Sequence, residues 1–236
     1  MATFVLVHGA WHGGWCWADT AEHLRLNGHD VHTPTLTGLG ERSHLLSPDI
    51  TPDLHVADIV QVLNFRALRD VILVGHSYGG MVISGVATQV PERVAALVYL
   101  DAYVADDTGA PKFPAANPER MAAFEAQLAD GGFAVAPDNF AAWTDLPERE
   151  IWLRAMCTPH PIRCFRDGVT MSETSTTVQE NHYILAARNF PSPFWGEYAA
   201  LEGRKGWHLH KIDTKHDAMV DAPEDLGDLL IEIAKT

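Results

Sequence analysis

The amino-acid sequence predicts an α/β fold, with a mostly parallel central sheet and helices on both of its faces. Three observations lead to this prediction. Short apolar runs alternate with segments of helical periodicity, the runs are apolar throughout, and glycine-rich turns follow two of the strongest runs. Strands that are buried on both faces of a parallel sheet have this pattern.

Six apolar runs are predicted to be strands. Continuous apolar runs of this length, bounded by turn residues, are typical of strands in the middle of a sheet. The weaker candidates lie around Val31 and at Trp207–Ile212, and the stronger ones are residues 4–7, 71–74, 94–100 and 183–187.

Helices are predicted between these strands. Thr51 is a frequent N-cap residue, Pro52 suits the first turn, and four apolar residues then recur at helical spacing. The small residues at positions 80–87 predict a helix that approaches the sheet closely, and Pro91 ends it. Pro223 begins the last predicted helix, whose apolar residues form a single stripe.

Residues 102–180 interrupt the alternation. They are rich in proline, alanine and aromatic residues, have short helical patterns and contain no convincing strand. A structureless connection of this length is uncommon in a compact domain. We therefore expect an inserted cap at 102–180, over a core formed by residues 1–101 and 181–236.

Composition and charge exclude several classes of partner. The chain has 17 Lys and Arg against 31 Asp and Glu, a net charge of −14, and no basic run. Nucleic acid and anionic membrane surfaces would repel it. The N-terminus has no positively charged region, and its apolar run is too short for a signal peptide or a membrane span. We expect a cytoplasmic protein, and the sequence leaves open whether it forms a homodimer.

Cysteine and histidine content favours neither a disulfide framework nor a metal site. Cys16, Cys157 and Cys164 are odd in number and lack zinc-type spacing, so buried free thiols are expected. The 13 histidines suggest metal binding, but no carboxylate-and-histidine motif of metalloenzyme type is present. We expect solvated or core histidines and no metal.

A G-x-S-x-G pentad at residues 75–79 is the strongest indication of chemistry. Ser77 stands at its centre, between a predicted strand and a predicted helix, where a nucleophilic serine on a sharp turn is expected. A serine hydroxyl needs a histidine to accept its proton and usually a carboxylate to orient that histidine. The usual order in such folds is serine, acid, histidine, so His216, after the last strand, is the predicted base.

Two backbone amides are predicted to stabilise an oxyanion. One belongs to Tyr78, which follows the serine, and the other to Ala10, in the glycine-rich loop after the first strand. Trp11 and Tyr103 neighbour these elements and are expected to contact substrate. The many aromatic residues suggest an apolar pocket suited to a small hydrophobic or aryl ester.

With these residues assembled, the chain resembles the α/β-hydrolase fold, and more narrowly the methylesterase and hydroxynitrile lyase family with its related bacterial esterases. The resemblance covers nearly the whole chain and is most specific at residues 8–17 and 75–80. It implies cofactor-free hydrolysis of a small ester through an acyl-serine intermediate, under a helical cap. Lyase members carry a threonine and a lysine where this chain has Ala10 and Asp217, so an esterase is favoured.

The acid of the triad departs from the family pattern. Members usually carry it in a loop after the penultimate strand, where this chain has Asn189 and no carboxylate. Asp101 ends the strand at 94–100, and some hydrolases of this fold supply their acid from that strand. We predict Asp101 as the acid that orients His216. The alternatives are that Asp101 only caps a turn and that Asn189 holds His216 without a counter-charge.

Two other functions remain open from the sequence. The missing family acid motivates a hydrolase-fold protein that binds a small apolar ligand with little turnover. A lyase or cyclase of the same fold would use His216 as a base without forming an acyl-serine.

Overall fold

The computed structural model describes residues 1–169, 178 and 180–235. Its centre is a six-stranded sheet in the order β2-β1-β3-β4-β7-β8, and all of its pairings are parallel. A separate antiparallel pair joins β5 to β6. The strands are β1 Thr3–Val7, β2 Asp30–His32, β3 Val71–His76, β4 Val94–Leu100, β5 Ala134–Val135, β6 His160–Pro161, β7 Glu180–Ala186 and β8 Trp207–Ile212.

Helices follow most strands of the large sheet. Those in the described residues are α1 Ala18–Leu26, α2 Pro52–Phe65, α3 Gly79–Gln89, α4 Lys112–Ala116, α5 Pro118–Ala129, α6 Pro147–Met156, α7 Arg163–Arg166, α8 Phe194–Leu201, α9 Ala218–Asp221 and α10 Pro223–Ile233. The predicted α/β fold is confirmed, with all six predicted strands in the large sheet. Helix α2 begins at Pro52 after the N-cap Thr51, as expected.

Burial explains why the apolar runs were clear in the sequence. All six residues of β3 and six of the seven in β4 are buried. A strand covered on both faces has no solvent side, so it needs no alternating polar residues. The edge strand β8 has one buried residue, Ile212, which is why its pattern is weaker.

The sheet topology determines where a ligand site can form. From β1 the chain moves outward to the edge strand β2 and then returns to β3 on the other side of β1. In open α/β sheets, ligands bind at the carboxyl ends of the strands where the order reverses in this way. The loops that follow β1 and β3 lie at this position, and they carry Ala10 and Ser77.

Residues between β4 and β7 form helices α4 to α7 and the β5–β6 pair. The expectation of no strand in 102–180 was wrong, because Ala134 pairs with Pro161 and Val135 with His160. Two-residue strands are too short to show a periodicity. Positions 170–177 and 179 of the predicted cap lie outside the described residues, and its boundaries stay a prediction.

The described residues contain no candidate for a membrane span. Among the described helices, none combines the length and the apolar character that crossing a bilayer requires. The cellular compartment stays a prediction.

Candidate active site

Ser77 lies on the sharp turn between β3 and α3. Its backbone is in the left-handed region, with φ of 54°, and its amide donates to Leu100 O at 3.1 Å. The flanking glycines are required by close contacts: a Cβ at Gly75 would lie 2.5 Å from Gly79 O, and one at Gly79 would lie 2.8 Å from His8 O. The pentad is therefore a strained turn with room for hydrogen atoms alone at two positions.

The structure brings Asp101 and His216 together. His216 Nδ1 donates to Asp101 Oδ2 at 2.7 Å, and Asp101 is fully buried. Asp101 follows β4 directly, its amide donates to Ile184 O, and its Oδ1 accepts from Ala186 N. These contacts with β7 fix the carboxylate at the carboxyl edge of the sheet.

Asn189 also contacts this pair. Its Nδ2 donates to Asp101 Oδ2 at 2.6 Å and lies 3.3 Å from His216 Nδ1. With the proton of His216 Nδ1 directed at Asp101, the two nitrogens are both donors and cannot bond to each other. Asn189 therefore holds the carboxylate and does not replace it.

The Ser77 hydroxyl and the His216 ring line the same pocket. Among the hydrogen bonds of the described residues, none joins these two side chains directly. Serine–histidine contacts are often long without substrate and shorten in the reacting complex. His216 Nε2 is the ring nitrogen left for this task, because Nδ1 is occupied by Asp101.

The backbone of Ala10 and Tyr78 offers two donors at this pocket. Both residues line it, and each is 4 % exposed. Neither amide hydrogen finds a protein acceptor within the described residues. Unpaired buried N–H groups are rare in proteins. Two of them beside a serine hydroxyl are what stabilising an oxyanion requires.

Two histidines hold the peptide groups on either side of Ala10. His8 Nε2 accepts from Leu36 N at 3.0 Å, so its proton is on Nδ1, which donates to Gly9 O at 2.8 Å. Gly9 C=O and Ala10 N–H lie in one trans peptide plane and point in opposite directions, so this bond orients the Ala10 amide. On the other side, His12 Nδ1 donates to Ala10 O at 2.7 Å.

Trp11 continues this loop in a strained conformation. Its φ of 66° is uncommon for a bulky side chain. Its amide donates to His160 Nδ1, its carbonyl accepts from Thr158 N, and its indole donates to Val135 O. These three contacts attach the glycine-rich loop after β1 to the β5–β6 region.

Burial keeps most of the surrounding histidines neutral. It lowers the pKa of His8 to about 3 and holds the pKa of His76 and of His160 well below the ordinary value. Burial acts on His12 in the same direction, but the Asp217 carboxylate, 3.1 Å from His12 Nε2, outweighs it and the pKa of His12 is raised. Burial by itself would raise the pKa of Asp217. The interaction with His12 is opposite in sign, and the pKa of this carboxyl is lowered overall.

The pocket itself is small and largely aromatic, with a volume of about 190 Å³. Trp11 and Tyr103, predicted to contact substrate, both line it, and Trp11 stacks on Trp143 with ring centroids 5.5 Å apart. Phe194 stacks on the His216 ring at 5.1 Å. A flat or apolar ligand fits such walls.

Comparison with known proteins identifies the family. Residues 4–229 match the alpha/beta hydrolase family. The chain belongs to this family. The carbendazim hydrolyzing esterase of Nocardioides sp. (strain SG-4G) is 39% identical over 241 residues, which cover 98% of each chain. Methyl jasmonate esterase 1 of Vitis vinifera is 35% identical over 102 residues, 43% of this chain and 39% of the relative.

A solved structure shows the same fold over the whole length of the hydrolase. An extracellular alpha/beta-hydrolase from a Paenibacillus species, described as sharing homology with tobacco salicylic acid binding protein 2, superposes with a TM-score of 0.84. The two chains are 24% identical, and 99% of each is covered. At this identity the likeness supports the fold alone.

One group of ligand-type side chains in the described part of the hydrolase comes close enough for a metal ion. Ligand atoms of His76, His216 and Asp217 lie within 4.8 Å of one another. However, His76 Nε2 donates to His216 O, and His216 Nδ1 donates to Asp101. A metal ion bound through Nε2 of His216 would occupy the ring nitrogen that is left for Ser77, so a resident metal does not fit the serine chemistry that this site offers.

Sequence reasoning missed several residues of this site. Arg120 lines the pocket, with its guanidinium 5.4 Å from the Trp11 ring centroid and paired with Asp138 at 2.5 Å. Phe165 and Phe194 line it as well. The segments around these three residues contain no recognisable motif, so the sequence does not distinguish the three from ordinary core residues.

Proposed function

We propose that this hydrolase is a serine esterase that cleaves a small hydrophobic or aryl carboxylic ester through an acyl-serine intermediate. The observation that carries the proposal is the 2.7 Å hydrogen bond from His216 Nδ1 to Asp101 Oδ2, because it leaves Nε2 of His216 free and His216 lines the same pocket as Ser77. Ester hydrolysis is also the activity named for the whole-length relative. At the level of class, the chain is an ester-hydrolysing α/β hydrolase.

In the first half of the reaction, Ser77 Oγ attacks the ester carbonyl carbon while His216 Nε2 takes the hydroxyl proton. Asp101 stabilises the imidazolium that forms. The carbonyl oxygen becomes an oxyanion, and the amides of Ala10 and Tyr78 donate to it. Collapse of this intermediate breaks the bond to the alcohol oxygen, which receives the proton from His216.

In the second half, His216 removes a proton from water, and the resulting hydroxide attacks the acyl-serine. The same two amides stabilise the second oxyanion. Breaking the acyl–Oγ bond releases the carboxylic acid and returns the proton to Ser77. The proposed chemistry uses side chains and backbone amides alone, with no cofactor.

The pocket supports a small substrate with an apolar or aromatic part. Its volume of about 190 Å³ is below the ~300–1,000 Å³ of pockets for drug-sized ligands. Trp11, Trp143 and Phe165 form aromatic walls. In this proposal, residues 102–180 act as the cap, because Phe113, Trp143 and Phe165 all come from this segment.

The binding-protein alternative rested on the missing family acid. With Asp101 in contact with His216, that reason no longer applies. We propose an activated serine, a small-molecule ester as the partner, and a cytoplasmic location.

Covalent labelling with a fluorophosphonate, together with turnover of a chromogenic short-chain ester, tests the proposal. We expect both to be lost in Ser77→Ala, with the thermal midpoint nearly unchanged. Ser192→Ala is the matched control, because Ser192 is a second serine that lines the same pocket. Turnover that persists in Ser77→Ala refutes the assignment. Turnover of wild type without a trapped acyl-serine favours a lyase or cyclase.

A further inference from the structure

The carboxylate of Asp217 forms a second buried pair with an imidazole, beside the pair formed by Asp101 and His216. His12 Nε2 donates to Asp217 Oδ2 at 3.1 Å, with His12 2 % and Asp217 0 % exposed. Neither residue lines the substrate pocket. We propose that this ion pair is a positioning element, which locks Ala10, through its carbonyl, to the segment that carries His216. The inference rests on the proposed function, since it concerns the same reaction.

The pair connects the glycine-rich loop, which carries Ala10, with the segment that carries His216 by a short path. His12 Nδ1 donates to Ala10 O at 2.7 Å, and Asp217 is the chain neighbour of His216. Asp217 N in turn donates to Trp143 O at 2.9 Å, which holds the backbone at this point. Two side-chain hydrogen bonds therefore join the carbonyl of Ala10, the residue whose N–H is one oxyanion donor, to the residue after the base. The relative position of these two groups decides how well an oxyanion is stabilised as the proton moves.

The hydrogen bonds require His12 to carry both ring protons. A neutral imidazole has one donor and one acceptor, whereas Ala10 O and the Asp217 carboxylate are both acceptors. The other groups that face His12 are His76 and the rings of Trp15 and Trp143, with centroids 6.2, 5.4 and 5.3 Å from its own. None of them carries a negative charge, so Asp217 supplies the counter-charge.

Glycine at position 9 keeps this arrangement compact. A Cβ there would lie 2.9 Å from His76 Nδ1 and 3.0 Å from Ser77 Cβ. His76 Nε2 donates to His216 O at 3.1 Å and lies 3.7 Å from Asp217 Oδ1. The glycine-rich loop, the turn that carries Ser77 and the segment that carries His216 thus meet around His76. The His12–Asp217 pair adds a direct contact between this loop and this segment.

Two variants separate positioning from charge. The double variant His12→Phe/Asp217→Asn removes both charges together and keeps a ring against Trp15 and Trp143. We expect its kcat to fall about 100-fold, the loss typical of one impaired oxyanion donor, while KM stays within about threefold. In Asp217→Asn alone, the new amide donates to His12 Nε2 and His12 Nδ1 still donates to Ala10 O. This variant is expected to stay within about threefold of wild type.

The decisive readout is affinity for a trifluoromethyl ketone, which forms a tetrahedral oxyanion on Ser77. In the double variant this affinity should fall by the same factor as kcat/KM, since both report stabilisation of the oxyanion. The matched control is His23→Phe/Asp228→Asn, which removes a surface His–Asp pair at 2.7 Å and should leave kcat within about twofold. A double variant of His12 and Asp217 with wild-type kcat overturns the proposal. So does an Asp217→Asn variant as slow as the double variant.

Nitrogen-15 NMR of the imidazoles provides a test that does not depend on turnover or on how the double variant folds. We expect both ring nitrogens of His12 to be protonated at pH 7 in wild type, and Nε2 to lose its proton in Asp217→Asn. An unprotonated ring nitrogen in wild type overturns the positioning role. Absence of Ser77-dependent hydrolysis by wild type would instead overturn the proposed function, so the two failures are distinct.

Discussion

Asn189 donates its side-chain amide to Asp101 Oδ2 at 2.6 Å, and the same oxygen accepts from His216 Nδ1 at 2.7 Å. The family resemblance implies an acid in the loop that carries Asn189. In this chain the carboxylate that contacts His216 lies at the end of β4 instead, and the Asn189 side chain donates to it. Asp101, which supplies the carboxylate, is thus in direct contact with Asn189, which stands where the family usually has its acid.

Replacing Asp101 with Asn is expected to lower kcat by about 10⁴ while KM changes little. The imidazolium of His216 would lose its counter-charge, and the amide would favour the wrong tautomer. Steady-state kinetics on a chromogenic ester provides the measurement. Asp58→Asn is the control, because Asp58 accepts hydrogen bonds from Thr37 outside the pocket. A rate within tenfold of wild type in Asp101→Asn would reopen the question of the acid.

Moving the carboxylate to position 189 is expected to restore part of this loss. Asn189 Nδ2 lies 3.3 Å from His216 Nδ1, so an aspartate there can accept from the imidazole. In Asp101→Asn/Asn189→Asp, kcat should exceed that of Asp101→Asn by about tenfold or more. The single variant Asn189→Asp places two carboxylates in contact, which disfavours the charge on one of them. Failure of the double variant to exceed Asp101→Asn would contradict this geometry.

Phe113 is expected to limit the length of the substrate. It lines the pocket, and Phe124 stacks behind it at 5.7 Å without lining the pocket. Phe113→Ala should raise kcat/KM for hexyl relative to methyl esters by about tenfold, because the added volume accepts methylenes. Phe124→Ala should cost about 3–5 kcal/mol of stability and leave this ratio unchanged. Equal selectivity in wild type and Phe113→Ala would show that the residue does not set the length.

Stability is expected to fall as the pH decreases from 6.5 towards 4. The pKa of His8 is lowered to about 3 and that of His55 to about 4, both mainly by burial, so the unfolded chain binds their protons first. Each of these two histidines lowers the free energy of unfolding by about 2 kcal/mol between pH 7 and pH 5. His12, whose pKa is raised, has the opposite sign, and its contribution is complete below its unfolded pKa.

Urea unfolding at pH 7, 6 and 5 checks this prediction. The free energy of unfolding should decrease at each step, with an unchanged dependence on denaturant. An equal or higher free energy at pH 5 would contradict the assignment of these histidines as buried and neutral.

The strands were predictable because the sheet is covered on both faces, so that β1, β3 and β4 show as apolar runs. The nucleophile turn was predictable too, because the contacts of Gly75 and Gly79 leave no room for a side chain. The two-residue strands β5 and β6 carry no periodic signal, and only their pairing reveals them. Arg120 and Phe165 reach the pocket from helices whose sequences have no distinguishing pattern.

The order of elements, the position of the serine turn and the candidates for its partners were determined by the sequence alone, since local steric and apolar patterns encode them. Only the tertiary structure decided that Asp101 meets His216 across 115 positions, and that His12 meets Asp217 across 205. Contacts between residues so far apart depend on strand order and helix packing. No local pattern records which buried imidazole faces which carboxylate.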